Sequence, residues 1–395
     1  MQHVKSREPH GAVLLTGATG FVGSEVLARY LANTDRRVYA LVRGGDSGEA
    51  TQRLRDAIAP LGVELPDDRA IAVPADLERP ELGLDARRRE QIACEVTDVV
   101  HAAASVSFSL PLEQSRQINV EGTRRVLDFA HLSRQRGGLR RLAYVSTAYV
   151  AGAHHGVFTE DDLEVGQTFR NPYERSKFEA ERLVRRERRH LPTQIFRPSI
   201  VVGEAATGWT QAFNVLYVPL RAFVEGKLPV LPARPTSPVD IVPVDYVADA
   251  IVELADRHGG EGTYHLVSGR RATNVKELVE LASEHMDRSA PLVLPPSLYR
   301  RILHPVLKRR APPRRRRALE RLETFFPYFA MDMTYDDRRT RATLDRSGIE
   351  PPPIGRYFGR LLDFAERSRW GQQRLDRRSR PADHAASRLP NEPMP

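Results

Sequence analysis

Cysteine is almost absent from this chain: Cys94 is the only one in 395 residues. No intrachain disulfide can form, so the fold rests on burial and hydrogen bonding. Such usage fits a reducing cytoplasm. Lysine is nearly as scarce. Only Lys5, Lys177, Lys227, Lys276 and Lys308 stand among 60 Lys+Arg. Arginine is the default cation, and each lysine calls for a reason. No apolar run approaches the ~18 residues that a membrane span requires. The longest, "FNVLYVPLRAFVEG", is broken by Pro219 and Arg221. The opening "MQHVKSREPHG" has no apolar run after its charges, so no secretory leader is read there.

What is present is an ordinary globular composition, 41% hydrophobic and 28% charged, on a chain long for one core. The formal net charge is +9, and much of the excess lies in "LKRRAPPRRRRALERL", residues 307–322. This segment reads either as a solvated arginine-rich surface or as a dock for something acidic: a membrane surface, coenzyme A phosphates or an acidic carrier protein. No nucleic-acid module accompanies the charge, so nucleic acid is not expected as a partner. Location is expected to be cytoplasmic, with peripheral membrane contact through this segment as the variant. His154 and His155 have no metal-ligand companions, so no metal is expected. Cys94 reads as a small buried filler.

From residue 12, short β-branched runs alternate with helical patterns: "AVLLTG", "RRVYALVR", "DRAIAVPADL", "VTDVVHAAA", "LRRLAYVSTAYV" and "PTQIFRPSIVVG" are strand-like. This rhythm predicts an α/β fold, a doubly wound parallel sheet of the Rossmann kind with helices on both faces. Residues 1–11 read as a flexible start and 12–203 as the dinucleotide-binding domain. Residues 204–289 read as a smaller mixed α/β substrate-binding region, with 240–265 returning to the core sheet. Residues 290–373 form a basic helical extension. The tail 374–395 has too little apolar content to pack and is expected to be disordered. "TNVKELVELASEHM" reads as a helix capped by Thr273 or Asn274.

"LLTGATGFVGSEVL" sets Gly17, Gly20 and Gly23 between a strand and a helix. Gly17 permits a tight turn, Gly20 lets a pyrophosphate approach the backbone, and Gly23 lets the helix lie close to the strand. The helix N-terminus then faces the phosphates with unpaired N–H groups. An NAD enzyme often ends its second strand in an acid that holds the ribose 2′-hydroxyl. Here Arg43 stands there and suits a 2′-phosphate, which favours NADP (as NADPH), although Asp46 follows closely.

Tyr173 and Lys177, four apart in "NPYERSKFEAERLV", share one helix face. A nearby ammonium favours the phenolate and is expected to lower the tyrosine pKa, which suits proton exchange with a developing alkoxide. Ser146 and Thr147, at the end of the fifth strand, offer a hydroxyl to a substrate oxygen.

Together these motifs resemble the extended short-chain dehydrogenase/reductases over about residues 12–285. The resemblance is carried by the glycine turn, "ADL" at 75–77, "HAAA" at 101–104, "NVEGT" at 119–123, "STAYV" at 146–150, "YERSK" at 173–177 and "RPSIVVG" at 197–203. Within that superfamily the chain looks most like the fatty acyl-CoA reductase and thioester-reductase (male-sterility-like) branch. The resemblance implies Thr147 as oxyanion donor, Tyr173 as general acid, and Lys177 as the group that tunes Tyr173 and binds the ribose. It implies a cofactor site lined by Thr16, Gly17, Thr19, Gly20, Phe21, Val22 and Gly23. Further lining comes from Arg43, Asp76, Leu77, Ala102, Ala103, Ala104, Asn119, Pro198, Ser199, Ile200 and Val201. The implied reaction is reduction of an acyl thioester by NADPH to an aldehyde, with a second reduction to alcohol left open. Two other readings remain: a relative acting on a hydroxysteroid, ketone or nucleotide sugar, and a non-catalytic NADP-binding regulator. The aromatic stretch Phe213–Phe223 suits an acyl chain or its own core packing.

Overall fold

The computed structural model describes residues 11–213, 215–258, 260–303, 305 and 326–378. The basic segment 307–322, the start of the chain and the tail beyond Arg378 lie outside the described residues.

Seven strands form the central sheet: β1 (Ala12–Thr16), β2 (Val38–Val42), β3 (Ala70–Pro74), β4 (Val96–His101), β5 (Arg141–Val145), β7 (Thr193–Pro198) and β12 (Gly262–Leu266). Their order is β12-β7-β5-β4-β1-β2-β3, and every pairing is parallel. The chain leaves β1 toward β2 and β3 on one side, then resumes at β4 on the other. Helices cover both faces, so the strands are apolar nearly throughout; β1, β2 and β7 are buried at every position. On one face α1 (Phe21–Asn33), α2 (Ser47–Ile58) and α8 (Val244–Val252) pack with Leu27, Leu54 and Ile251. On the other lie α3 (Ala86–Glu95), α5 (Gly122–Arg136) and α6 (Pro172–Glu187), with Ile92, Phe129 and Val184. The short α4 (Leu112–Arg116) leads toward α5.

The sixth strand expected from the sequence is two. It breaks at Ser199, after which β8 (Ile200–Val202) leaves the sheet and pairs with β11 (Ile241–Pro243). A second core grows there around α7 (Tyr217–Val224), α9 (Val275–His285) and the terminal helix Phe358–Arg367. Short parallel pairs fasten it: β9 (Val230–Pro232) with β14 (Leu292–Leu294), and β6 (Gly156–Phe158) with β15 (Met333–Tyr335). An antiparallel pair joins β10 (Pro238–Val239) to β13 (Thr273–Asn274). Asn274 is the cap of α9, accepting from Glu277 N at 2.9 Å.

Two expectations are corrected. Cys94 is exposed, because α3 turns Ile92 and Ala93 inward and the next position outward. The tail does not come loose at Arg374. Trp209 Nε1 donates to Leu375 O at 3.0 Å, and Arg377 lies over the Trp209 ring and pairs with Glu25 and Glu204. Among the described residues no helix is long and apolar enough to cross a membrane.

Candidate active site

The carboxyl ends of β1 and β4 open side by side. Gly17 has φ +78°, and a Cβ there would stand 2.6 Å from Ala103 N, so only glycine fits. A Cβ at Gly23 would stand 2.0 Å from Gly17 O, which is how α1 lies so close to the turn. At Gly20 a Cβ would meet only Gly17 O, at 3.3 Å, so this face of the turn is open. Gly20 is the N-cap of α1 but has no side chain to cap it, and the first turn holds no acid. The free N–H groups and the positive helix end are what a pyrophosphate requires, so the turn fits a dinucleotide.

Behind it, Thr16, His101 and Thr123 form a hydrogen-bonded chain. His101 is buried, and its pKa is pushed down to about 3, first by burial and then by the charge of Lys177. The ring is therefore neutral. Thr123 donates to Asn119 O at 2.6 Å, so its oxygen is left to accept from His101 Nε2 at 3.0 Å. Nδ1 then accepts from the Thr16 hydroxyl at 2.7 Å, and Thr16 in turn accepts from Ala103 N at 3.2 Å. The chain of bonds fixes the Ala102–Ala104 segment against β1.

Asn119 departs from its expected role. Its amide donates to Ser105 O at 3.1 Å and Ser176 Oγ at 2.9 Å, and its carbonyl accepts from Ser105 N at 2.8 Å. Both N–H groups are used inside the protein. Asn119 ties the segment after β4 to α6 rather than offering its donors to a cofactor. Asp76 follows β3, and its carboxylate accepts from Glu78 N at 2.9 Å. Leu77 packs beside Gly122. Arg43 is exposed just past β2 and makes no hydrogen bond or ion pair among the described residues. Asp46 caps α2, accepting from Glu49 N at 2.8 Å, so its carboxylate is committed to the helix.

Thr147 and Tyr173 meet. Ser146 donates to Glu181 at 2.6 Å and is held in the buried Glu181–Arg197 pair, so Thr147 is left as the hydroxyl of this stretch. The Thr147 oxygen accepts from Tyr149 N at 3.2 Å and faces Pro198 O at 3.5 Å. Tyr173 sits in the first turn of α6, where Asn171 caps the helix by accepting from Glu174 N at 3.0 Å.

The electrostatics of the phenol differ from expectation. The Tyr173 pKa is pushed up to about 12 by burial, opposed by the Thr147 hydroxyl and reinforced by the Glu174 carboxylate. Lys177 is engaged elsewhere. Its amine donates to Val145 O at 2.9 Å, rests 4.4 Å from the Tyr144 ring centre, and has its own pKa pushed down to about 7 by burial against the pull of Glu181. Four residues of separation put the two side chains on one face. The amine bonds the carbonyl at the end of β5.

Pro198, Ser199, Ile200 and Val201 form the break between β7 and β8. Ser199 stands beside Asp240, a carboxyl whose pKa burial raises to about 6 although Ser268 N and Gly269 N both donate to it. Two aromatic residues at the site had no role in the sequence reading. Phe108 stacks on Tyr173, centroids 5.6 Å apart, and also on Tyr328, at 5.6 Å. Phe108 follows "HAAA" closely and could have been weighed. Tyr328 had no local signal. An apolar cavity is lined by Leu216, Leu220, Phe223, Leu231, Leu278 and Phe329. Among the described residues no group of three or more His, Cys, Asp or Glu is placed to hold a metal ion.

Comparison with known proteins gives the family. The family model described as "Male sterility protein" matches residues 15–251. An isonitrile lipopeptide synthase of Streptomyces coeruleorubidus is 35% identical over 261 residues, 64% of this chain but 17% of that protein. Probable fatty acyl-CoA reductase 5 of Arabidopsis thaliana is 27% identical over 326 residues, covering 65% of each. The terminal R domain of the myxalamid PKS-NRPS pathway superposes with a TM-score of 0.79 at 28% identity, over 92% of both chains. This chain thus spans less than two thirds of the curated relatives it matches, and almost all of that solved domain. It belongs to the Male sterility protein family, the NAD(P)-binding thioester-reductase and fatty acyl-CoA reductase branch of the extended short-chain dehydrogenase/reductases.

Proposed function

We propose that this protein is an NADPH-dependent reductase of an acyl thioester, carried on coenzyme A or on a carrier protein, and that it yields the aldehyde. The observation that carries the reading is the meeting of Thr147 and Tyr173 at the same sheet edge as an uncapped glycine turn. The names of the relatives, a fatty acyl-CoA reductase and a lipopeptide synthase, support thioesters over sugars.

A bound NADPH supplies the hydride. Gly17, Gly20 and the first N–H groups of α1 would hold its pyrophosphate, and Arg43 its 2′-phosphate. Lys177 of α6, its amine at the end of β5, would reach the ribose. Thr147 and Tyr173 donate hydrogen bonds to the thioester oxygen and stabilise the charge that grows on it. A phenol pushed up to about 12 keeps its proton at neutral pH, so Tyr173 is suited to donate it as a general acid. The hemithioacetal then breaks its C–S bond and releases thiol and aldehyde. The apolar cavity beside α7 would take the hydrocarbon end. A second reduction to alcohol uses the same groups. The basic segment 307–322 would meet the acidic phosphates or carrier.

The test follows NADPH oxidation by the pure protein with long-chain acyl-CoAs, carrier-bound thioesters, aldehydes, ketones and nucleotide sugars. Turnover with a thioester, lost in Tyr173→Phe while NADPH still binds, is the expected result. Turnover confined to a sugar or ketone, or full activity in the variant, would remove the assignment.

A further inference from the structure

Tyr328 arrives at the site from the far side of the chain. It is 3% exposed, in the turn Phe326–Ala330, and lies 154 positions from the residue it bonds on α6. Its hydroxyl accepts from Asn171 Nδ2 at 2.6 Å and donates to Glu174 Oε1 at 2.7 Å. Asn171 and Glu174 are the cap and the third residue of α6, and they bracket Tyr173. Glu174 is fully buried, and among the described residues its other side-chain partner is Arg170, whose backbone N–H donates at 2.9 Å and whose guanidinium lies at 3.3 Å. Arg170 also donates to Gly152 O at 2.6 Å and stands over the Tyr328 ring. Tyr149 meets that ring edge-on, with centroids 5.0 Å apart. The Tyr328 ring also stacks on Phe108, which stacks on the ring of Tyr173.

One residue therefore reaches Tyr173 by two routes, a polar one through the helix start and an apolar one through a stacked ring. We propose that Tyr328 is a positioning residue for Tyr173: its hydroxyl fastens the first turn of α6 and its ring, through Phe108, sets the direction of the phenol. This rests on the reading of Tyr173 as the proton donor. The contacts account for a buried tyrosine hydroxyl with both a donor and an acceptor matched, in a segment whose composition suggested only a surface extension. Misplacement of a reacting group by about 1 Å can cost on the order of 100-fold in rate, so loosening one of two tethers is expected to act on kcat.

Tyr328→Phe in the full chain keeps the ring stack and deletes both hydrogen bonds. Turnover of a long-chain acyl-CoA with NADPH should fall about tenfold in kcat, with both KM values held within about twofold. Hydrogen exchange read by mass spectrometry should quicken about tenfold in a peptide covering 170–178, with α1 unchanged. Wild-type kcat in Tyr328→Phe beside an inactive Tyr173→Phe overturns the positioning role alone. Unchanged exchange at 170–178 overturns it whatever the activity, and so does quickened exchange across α1 with KM and kcat failing together. If the wild-type protein turns over no thioester, the proposed function falls, and exchange still decides whether Tyr328 fastens α6.

Discussion

Residues 12–145 and residues 326–378 are held in place on opposite plans. In the first region, strands consecutive in the chain lie side by side: β1 on β2, β2 on β3, and β4 on β5. The helix between two strands covers the sheet it has just left. The second region makes almost nothing of its own. β15 is completed by β6, and Tyr328 by the start of α6. Glu160 receives the start of the helix Arg338–Leu344, accepting from Arg339 N at 2.7 Å, Thr340 N at 3.0 Å and the Thr340 hydroxyl at 2.6 Å. Arg377 ends on Glu25, 352 positions away. The first region builds a cofactor cradle from local pattern. The second is a strap over that framework, its pieces joined to partners distant in the chain.

The comparison breaks most visibly at the phenol that lies between the two regions. Tyr173→Phe is expected to cost on the order of 1,000-fold in kcat, within the span usual for loss of a general acid. In the wild type, reduction should hold its rate through neutral pH and decline only as the raised phenol begins to ionise toward about 12. A pH profile of kcat checks this, and a decline centred below pH 9 would contradict the raised value.

The strap is tested at Glu160. It is 5% exposed, and also accepts from His265 N at 3.1 Å. Glu160→Ala leaves those donors buried and unmatched, with an expected loss of about 3 kcal/mol in urea unfolding. Should α1 and the sheet keep their amide protection while 326–378 loses it, the two regions are separable. Uniform loss would make them one cooperative unit.

At the cradle, Arg43→Glu should raise KM for NADPH about tenfold or more and leave NADH nearly unaffected, since only the 2′-phosphate distinguishes them. Steady-state kinetics with both cofactors decides it. The smallest effect is expected at Asp240, a buried carboxyl between β10 and β11 that accepts from Ser268 N and Gly269 N. Its folded pKa, about 6, is raised above the ordinary carboxyl value of 3.8. A raised carboxyl pKa adds stability below the unfolded value, and that stability is lost as pH rises through the folded one. Wild-type melting temperature should therefore fall relative to Asp240→Asn between about pH 4 and pH 6, and run parallel above it. Parallel curves throughout would place the carboxyl in water.

Much of the cradle was legible because its signals are local. Gly17 takes a φ of +78° and Gly23 is required by a distance inside a seven-residue turn, and Asn274 caps α9 through a bond three residues long. The period of α6 likewise puts Tyr173 and Lys177 on one face. Period does not say what else that face meets. The amine found Val145 O, and the phenol found Phe108, so the expected lowering of the tyrosine pKa became a rise. Ser146 and Thr147 both offered a hydroxyl, and only the resemblance favoured Thr147; in the fold Glu181 takes Ser146.

By itself, the order of residues determined the parallel α/β sheet, the glycine turn and the helix carrying Tyr173 and Lys177. Each depends on backbone geometry and on side-chain period over a few residues. Only the tertiary structure decided which hydroxyl remains free, which way the phenol is tuned and that Tyr328 stands behind it. Burial and hydrogen bonding are set by neighbours in space, and here those neighbours come from 30 to 150 positions away.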